Sequence, residues 1–206
     1  MIPVSSLAWL PAAYLLGAVP SSYLLARWMA GVDLREHGSR NVGATNLYRL
    51  LGWKAAIPAG AFDLAKGALP TLLAVRLGAG PPWWPFVVGL AAALGHVYSP
   101  FVGFKGGKGV ATAAGVFLAL APASVGAAAL VWVGLLRITG YMSVASMAGA
   151  AMFAAATPLL YPGRAVLMWA ACLLFVFIVF THRSNIGRLL AGTEARFGAR
   201  NTKAGR

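Results

Sequence analysis

The sequence predicts an all-α, polytopic membrane bundle of about seven transmembrane helices, with its N-terminus outside and its C-terminus in the cytoplasm. Composition, apolar run length and charge distribution predict it. Only 10% of the 206 residues are charged and 60% are hydrophobic, with a mean hydropathy of +0.76; soluble domains run near ~25% charged. Apolar runs of roughly 18 or more residues recur, the length a helix needs to cross a bilayer. Short alternating segments, the mark of a membrane β-barrel, do not occur. The whole chain, 1–206, reads as a single integral membrane domain.

Taken in order, the apolar runs bounded by breakers lie at about 5–29, 55–77, 83–99, 110–139, 141–160 and 164–181. The first has no Lys or Arg before it, unlike a secretory signal peptide with its basic start, and reads as a retained span. The run 110–139 would reach roughly 45 Å as one helix, against a hydrocarbon core of ~30 Å. Ala121-Pro122 sits near its middle, where proline breaks or kinks a helix. Charge parity chooses between one pass and two. With two passes, the 30–54 loop, the 100–109 loop, Arg137 and the tail all face the cytoplasm, and only Arg76 and Arg164 lie outside. With one pass, the tail from His182 and its six Lys/Arg would be stranded outside. Two half-helices that dip in and return would keep the same parity. Cys172, the single cysteine, falls inside the last apolar run and reads as a packing residue.

Three polar islands interrupt this oily chain, and this topology puts all three on the cytoplasmic side: Asp33 to Arg49, Gly95 to Gly109 and Thr181 to Glu194. The three histidines, His37, His96 and His182, lie in or beside them. The stretch "FKGGKGVATAAG" sets two lysines among glycines, a composition that suits phosphate because backbone N–H groups can ring an anion that side chains then neutralise. It is not a nucleotide-binding P-loop, since Val102 stands where the first glycine of that pattern would be. The glycines Gly38 and Gly43 can serve as turn residues, and Asn41 or Thr45 as helix caps. Even so, Ser39, Arg40, Asn41, Thr45, Asn46 and Arg49 crowd many hydrogen-bonding groups into eleven residues. Net charge is +13, from 17 Lys and Arg against four acids, which suits anionic lipid or an anionic substrate, and no nucleic-acid partner is expected. Within the membrane, Asp63 and Lys66 share a helical face, either as a structural pair or as support for a site. Ser143 and Ser146 share another, and small residues are common at helix contacts. The tail past Ala195 reads as a basic solvated end.

The islands "GSRNVGATNLYR" (Gly38 to Arg49), "KGGKGVAT" (Lys105 to Thr112) and "HRSNIGRLLAGTE" (His182 to Glu194) resemble, in order, the three signature motifs of the bacterial membrane glycerol-3-phosphate acyltransferases that use acyl phosphate, the PlsY family. Gly95-His96 and "TGYMSVAS" (Thr139 to Ser146) are similar to that family too. The resemblance implies a seven-helix bundle of the bacterial inner membrane with its site at the cytoplasmic face. It implies acyl transfer from acyl phosphate to the 1-hydroxyl of glycerol 3-phosphate, giving lysophosphatidic acid and inorganic phosphate, the first acylation of phospholipid synthesis. Both substrates carry phosphate, which accounts for two phosphate-suited islands, and the donor's acyl tail belongs in lipid.

On this resemblance Ser39, Arg49, Lys108 and His182 are the expected catalytic residues. Arg40, Asn41, Gly43, Thr45, Asn46, His96, Lys105, Gly106, Gly107, Gly109, Ser143, Asn185 and Glu194 are the expected substrate-binding residues. Arg49 with Lys105 or Lys108 would neutralise charge, and N–H groups of the Gly38–Gly43 and Gly106–Gly109 loops would hold phosphate oxygens. Ser39 is read as a binder, with a Ser39–His182 nucleophile–base pair as the sharper rival. No histidine has an aspartate five residues on, so the His-x-x-x-x-Asp mechanism of another acyltransferase family is excluded. No cofactor and no metal are expected, because four scattered acids make no Mg²⁺ site, and the enzyme is expected to work as a monomer. The competing class is an anion transporter, which would place its site near the midplane between internal repeats.

Overall fold

The structure, a computed structural model, describes residues 4–78 and 80–198, and every regular element among them is helical. In chain order these are α1 (Val4–Leu7), α2 (Trp9–Ala18), α3 (Ser21–Ala30), α4 (Ala44–Leu51), α5 (Trp53–Arg76), α6 (Trp84–Val97), α7 (Val110–Leu120), α8 (Pro122–Thr139), α9 (Met142–Leu160), α10 (Ala165–Thr181) and α11 (Arg183–Leu190). A single 3-10 turn, Pro100–Val102, follows α6. Contacts group the chain into two compact units, one running to Val116 and the other starting at Phe117, so the boundary falls inside α7.

Four stretches are long and apolar enough to cross a membrane: Trp9–Ala30, Trp84–Val102, Pro122–Thr139 and Met142–Leu160. Ala165–Thr181 with Arg183–Leu190, bent by 56°, makes up to five. Two expected spans stand apart from this set. The α5 helix has 24 residues but carries Asp63 and Lys66 at its middle. The α7 helix has only 11, ~16 Å at 1.5 Å per residue, against a core of ~30 Å. The long run 110–139 is therefore two helices, with Pro122 at the first position of α8, where its missing N–H costs nothing.

The first span is also broken, at Val19-Pro20 between α2 and α3. Pro20 has no N–H to give, so carbonyls before it lose their helical partners. Side chains from elsewhere supply replacements: Ser99 Oγ donates to the Ala18 carbonyl at 2.6 Å and Lys66 Nζ to that of Val19 at 2.9 Å. Irregular backbone inside a span persists only when such partners exist.

Small residues set the packing of the first unit. A Cβ on Gly17 would strike the backbone of Ala92, and one on Gly95 the backbone of Tyr14 and Ala18, so α2 and α6 meet nearly backbone to backbone. Gly67 lies equally close to Thr112, and Gly115 to Leu64 and Ala68, which joins α5 to α7. This is how helices associate where lipid offers no hydrophobic drive.

In the second unit α9 packs against α8 and α10. Phe117 and Phe153 pack with ring centroids 4.6 Å apart and planes tilted by 54°, and Trp132 Nε1 donates to Ser146 Oγ at 3.4 Å, so Ser146 is a contact residue. Large apolar side chains point outward, among them Leu130, Ile138, Leu159 and Trp169. Cys172 is exposed as well, which corrects its expected place in the packing. A belt of this kind is at home in hydrocarbon.

Candidate active site

The first island is a loop folded around one side chain. Asn46, on α4 and 3% exposed, donates through Nδ2 to the carbonyls of Leu34, His37 and Asn41 at 3.2, 3.0 and 3.0 Å. Its Oδ1 accepts the Ser39 N–H at 3.0 Å. Gly38 has φ +59, and a Cβ there would meet Asn46 Oδ1, so the position requires glycine both for conformation and for space. Asn41 Oδ1 accepts the Gly43 N–H at 3.0 Å. The Arg40 N–H bonds the His37 carbonyl at 3.0 Å. Asn46 and Asn41 therefore organise the loop, and the N–H groups of Ser39, Arg40 and Gly43 point into it. Asn46, expected as a substrate contact, and the Gly38–Gly43 amides, expected as an anion cradle, are engaged in bonds within the loop here.

Outward-facing groups of the same island have the opposite character. Ser39 and Arg40 are exposed, and Thr45 and Arg49 are half-buried one turn apart on α4. Arg40 holds φ +57, a left-handed conformation uncommon for a residue with a Cβ, and such strain concentrates at functional sites. Gly43 precedes α4, whose first N–H groups have no carbonyl within the helix to bond. At the island's start Asp33 accepts from Arg35 through both carboxylate oxygens, at 3.0 Å from Nε and 2.7 Å from Nη2. The Arg35 side-chain bond pulls the Asp33 carboxyl down to about 2.

The second island is stapled to the end of α6 through its backbone. The Gly106 N–H donates to the Val97 carbonyl at 2.9 Å and the Gly107 N–H to that of His96 at 3.0 Å. A Cβ on Gly106 would strike both carbonyl oxygens, and one on Gly107 the His96 ring. These two glycines are needed for close approach, as expected, but what approaches is α6. Their N–H groups, expected to hold phosphate oxygens, bond the α6 carbonyls here. Lys105 is exposed, Lys108 is half-buried, and Gly109, with φ +82, leads into the N-terminus of α7. His96, 9% exposed, turns Nδ1 toward Asp63 Oδ1 at 3.6 Å, so this nitrogen faces α5. The two islands touch: Asn41 Nδ2 donates to the Gly106 carbonyl at 3.3 Å.

The third island, in the second unit, gathers on one carboxylate. Glu194 accepts from Ser143 Oγ at 2.9 Å, Asn185 Nδ2 at 2.6 Å and Arg188 Nε at 2.7 Å. Burial opposes its ionisation, but these bonds and the Arg188 charge outweigh it and hold the carboxyl below its ordinary range. Ser143 and Glu194, both expected as substrate contacts, are bonded to each other here. Asn185 keeps one capacity: its Oδ1 is buried with no hydrogen-bond partner, and such atoms call for an explanation. Arg188 was not singled out from sequence, although a base six residues before the island's only acid was the available signal. His182, 2% exposed at the α10–α11 bend, has Nδ1 at 2.8 Å from the Ile178 carbonyl. That nitrogen therefore donates to the carbonyl. The segment after Glu194 is pinned, not simply solvated: Arg196 lies over the Tyr141 ring at 5.6 Å and the Phe197 N–H meets the Gly140 carbonyl at 2.6 Å. Arg200, Lys203 and Arg206 lie outside the described residues.

Comparison with known proteins identifies the chain's relatives. The glycerol-3-phosphate acyltransferase family matches residues 7–192. A glycerol-3-phosphate acyltransferase of Trichlorobacter lovleyi is 47% identical over 198 residues, 95% of this chain and 99% of its own. That of Geobacter sulfurreducens is 47% identical over 190 residues, 91% and 95% of the two chains. The crystal structure of PlsY (YgiH), an integral membrane glycerol 3-phosphate acyltransferase, in its glycerol 3-phosphate form has a TM-score of 0.88 at 40% identity, covering 94% of this chain and 96% of that one. Its lysophosphatidic acid form gives 0.84 at 37% with the same coverage. The chain therefore belongs to the glycerol-3-phosphate acyltransferase family and is a multi-pass membrane acyltransferase.

Proposed function

We propose that this enzyme takes its acyl group from acyl phosphate and transfers it to the 1-hydroxyl of glycerol 3-phosphate, releasing inorganic phosphate. The observation that carries the reading is the Asn41–Gly106 hydrogen bond, which holds two basic, glycine-bearing islands side by side in the first unit. Each island runs into the start of a helix, α4 or α7, where N–H groups and the helix dipole favour an anion. Two phosphates meet two such starts. Ser39, Arg40, Thr45 and Arg49 serve one; Lys105, Lys108 and the Gly109–Val110 turn serve the other. The relatives, as glycerol-3-phosphate acyltransferases, supply the acceptor. PlsY in its lysophosphatidic acid form supplies the acylated product.

Acyl phosphate is a mixed anhydride with a good leaving group, so the protein need not build a strong nucleophile. Its tasks are to neutralise two like-charged phosphates, align hydroxyl with carbonyl and stabilise the oxyanion. The acceptor hydroxyl attacks the carbonyl carbon, the carbonyl–phosphate bond breaks, and the hydroxyl proton ends on the released phosphate. Ser39, exposed and with its N–H tied to Asn46, acts as a binder.

The same reading places the site at the cytoplasmic face of a bacterial inner membrane, with the N-terminus outside and the enzyme acting as a monomer. Single cysteines in a Cys172→Ala background test sidedness: the 100–109 loop should react with an impermeant thiol reagent from the cytoplasm and Gly163 from outside. The decisive assay uses purified protein in detergent. Acyl phosphate with glycerol 3-phosphate should give lysophosphatidic acid and stoichiometric phosphate, and acyl-CoA essentially none. Lys108→Ala and Ser39→Ala should each remove most activity with helicity retained. Comparable rates from acyl-CoA without phosphate release would overturn the donor assignment. Turnover with no membrane gradient also separates an enzyme from an anion transporter.

A further inference from the structure

We propose that Asp63, Lys66 and His96 are positioning residues for the second basic loop: they fix where Lys105 and Lys108 present their charges and touch no substrate themselves. The inference rests on the acyl-phosphate reading in one respect, that the loop's ligand is a phosphate.

Asp63 and Lys66 sit within a span-length helix with side chains 4% and 1% exposed, their charged atoms 2.8 Å apart. A charge at membrane depth costs ~2.5–3.5 kcal/mol on insertion scales. A buried ion pair is often no more stabilising than apolar residues of the same volume. Stability alone is thus a poor reason for keeping the pair, and its contacts suggest another. Asp63 Oδ1 accepts from Ser21 Oγ at 2.7 Å and faces His96 Nδ1 at 3.6 Å. Lys66 reaches across to the Val19 carbonyl at 2.9 Å. The pair thereby clamps the α2–α3 break on one side and the end of α6 on the other.

His96 passes this constraint to the loop in two ways. Its carbonyl accepts the Gly107 N–H at 3.0 Å, and its ring lies against Gly107 so closely that no side chain fits there. Gly107 adjoins Lys108. On the far side of the loop, Ser99 Oγ is fastened to the Ala18 carbonyl at 2.6 Å, and the Ser99 carbonyl accepts the Phe104 N–H at 2.7 Å. Phe104 adjoins Lys105 and holds φ +59, a conformation it keeps only if its surroundings impose it. Both lysines therefore follow residues anchored to the same buried polar cluster. The plain alternative is that the pair merely neutralises itself and satisfies the Val19 carbonyl.

Two substitutions of His96 and one double substitution separate these readings. His96→Leu removes the ring nitrogens, whereas His96→Asn places an N–H donor where Nδ1 stood. The double variant Asp63→Asn/Lys66→Met removes both charges together and strands neither. Each is read by the KM for acyl phosphate, by kcat, by thermal midpoint in detergent and by the rate of tryptic cleavage after Lys105 and Lys108 in the folded protein. Positioning predicts that His96→Leu and the double variant remain folded, raise the KM about tenfold or more with a smaller change in kcat, and speed cleavage of the loop, while His96→Asn recovers most of the loss. Wild-type KM and cleavage rate in His96→Leu overturn the proposal whether or not the double variant folds. Loss of folding in both His96→Leu and the double variant also overturns it, because the cluster would then be structural throughout. If wild-type enzyme fails to turn over acyl phosphate, the donor reading falls instead, and the cleavage rates still decide positioning.

Discussion

The second and third islands answer the same problem, holding a polar segment at a helix end, by opposite means. The Gly95–Gly109 segment is fastened by its backbone: N–H groups of Gly106 and Gly107 bond carbonyls of α6, and the close fit depends on absent side chains. The His182–Glu194 segment is fastened by its side chains, three donors converging on one carboxylate. A backbone clasp does not draw on lysine side chains, which suits the role proposed for Lys105 and Lys108 toward phosphate. It tolerates no added volume at Gly106 or Gly107 and rests on backbone bonds that do not titrate. A side-chain clasp tolerates volume but depends on one ionised group.

The largest effect should come from adding a methyl group to the backbone clasp. Gly106→Ala would push a Cβ into the carbonyl oxygens of His96 and Val97, which belong to a helix and cannot rotate away. The loop must detach to relieve the clash. We expect kcat/KM to fall more than a hundredfold, ~2.7 kcal/mol, while circular dichroism and expression stay near wild type. The opposite test is a bulky change where the clasp has room: Gly103→Asn, at φ +67 with nothing near the missing Cβ, should cost less than threefold. Similar losses from the two would show that the clasp is not what holds the loop.

How far this contrast could be read from the sequence depends on distance along the chain. The breaks at Pro20 and Pro122 were legible because proline lacks an N–H wherever it stands, although only Pro122 was read. The islands were legible as contiguous runs of Gly, Ser, Asn, Lys and Arg. The division of labour inside them was not, because an asparagine that folds a loop and one that binds a ligand are the same residue. Only three-dimensional placement shows Asn46 Nδ2 meeting three carbonyls. Asp63 was legible as the partner of Lys66 three positions on. Its bond to Ser21, 42 positions away, has no sequence signature. The same holds for Gly106 and Gly107, whose need for close approach was legible while the packing of α6 against them was not.

A smaller effect should follow from the carboxylate. Glu194→Gln keeps the shape and removes the charge that Arg188 Nε meets at 2.7 Å. Arg188 is partly exposed, so solvent recovers some of the loss; about 2 kcal/mol of local stability is a reasonable size. We expect a lower thermal midpoint, with activity falling several-fold. The pH dependence has a definite sign. The folded carboxyl is held below its ordinary 4.5, so Glu194 contributes stability that is fully present above that value and lost as pH falls through the folded pKa. Wild type should therefore lose midpoint relative to Glu194→Gln as pH drops below about 4.5, with the two curves running parallel above it. A constant difference across that range would mean that the charge is not what the clasp uses.

The smallest expected effect is at Ser143, and it is the finest test of the comparison. Ser143 supplies one neutral bond of the three that Glu194 accepts, at 2.9 Å, from the first turn of α9. Removing it leaves Asn185 and Arg188 in place, so the carboxylate stays ionised and bonded. A hydrogen bond to a charged group contributes ~1.5–3 kcal/mol, and redistribution among the remaining donors should reduce the loss to about 1 kcal/mol. Ser143→Ala should then lower the thermal midpoint by a few degrees, change the KM for glycerol 3-phosphate less than twofold and leave kcat near wild type. A tenfold rise in that KM with an unchanged midpoint would return Ser143 to the role first expected of it, a substrate contact. The clasp on Glu194 would then be the structure's resting arrangement, exchanged for substrate during turnover.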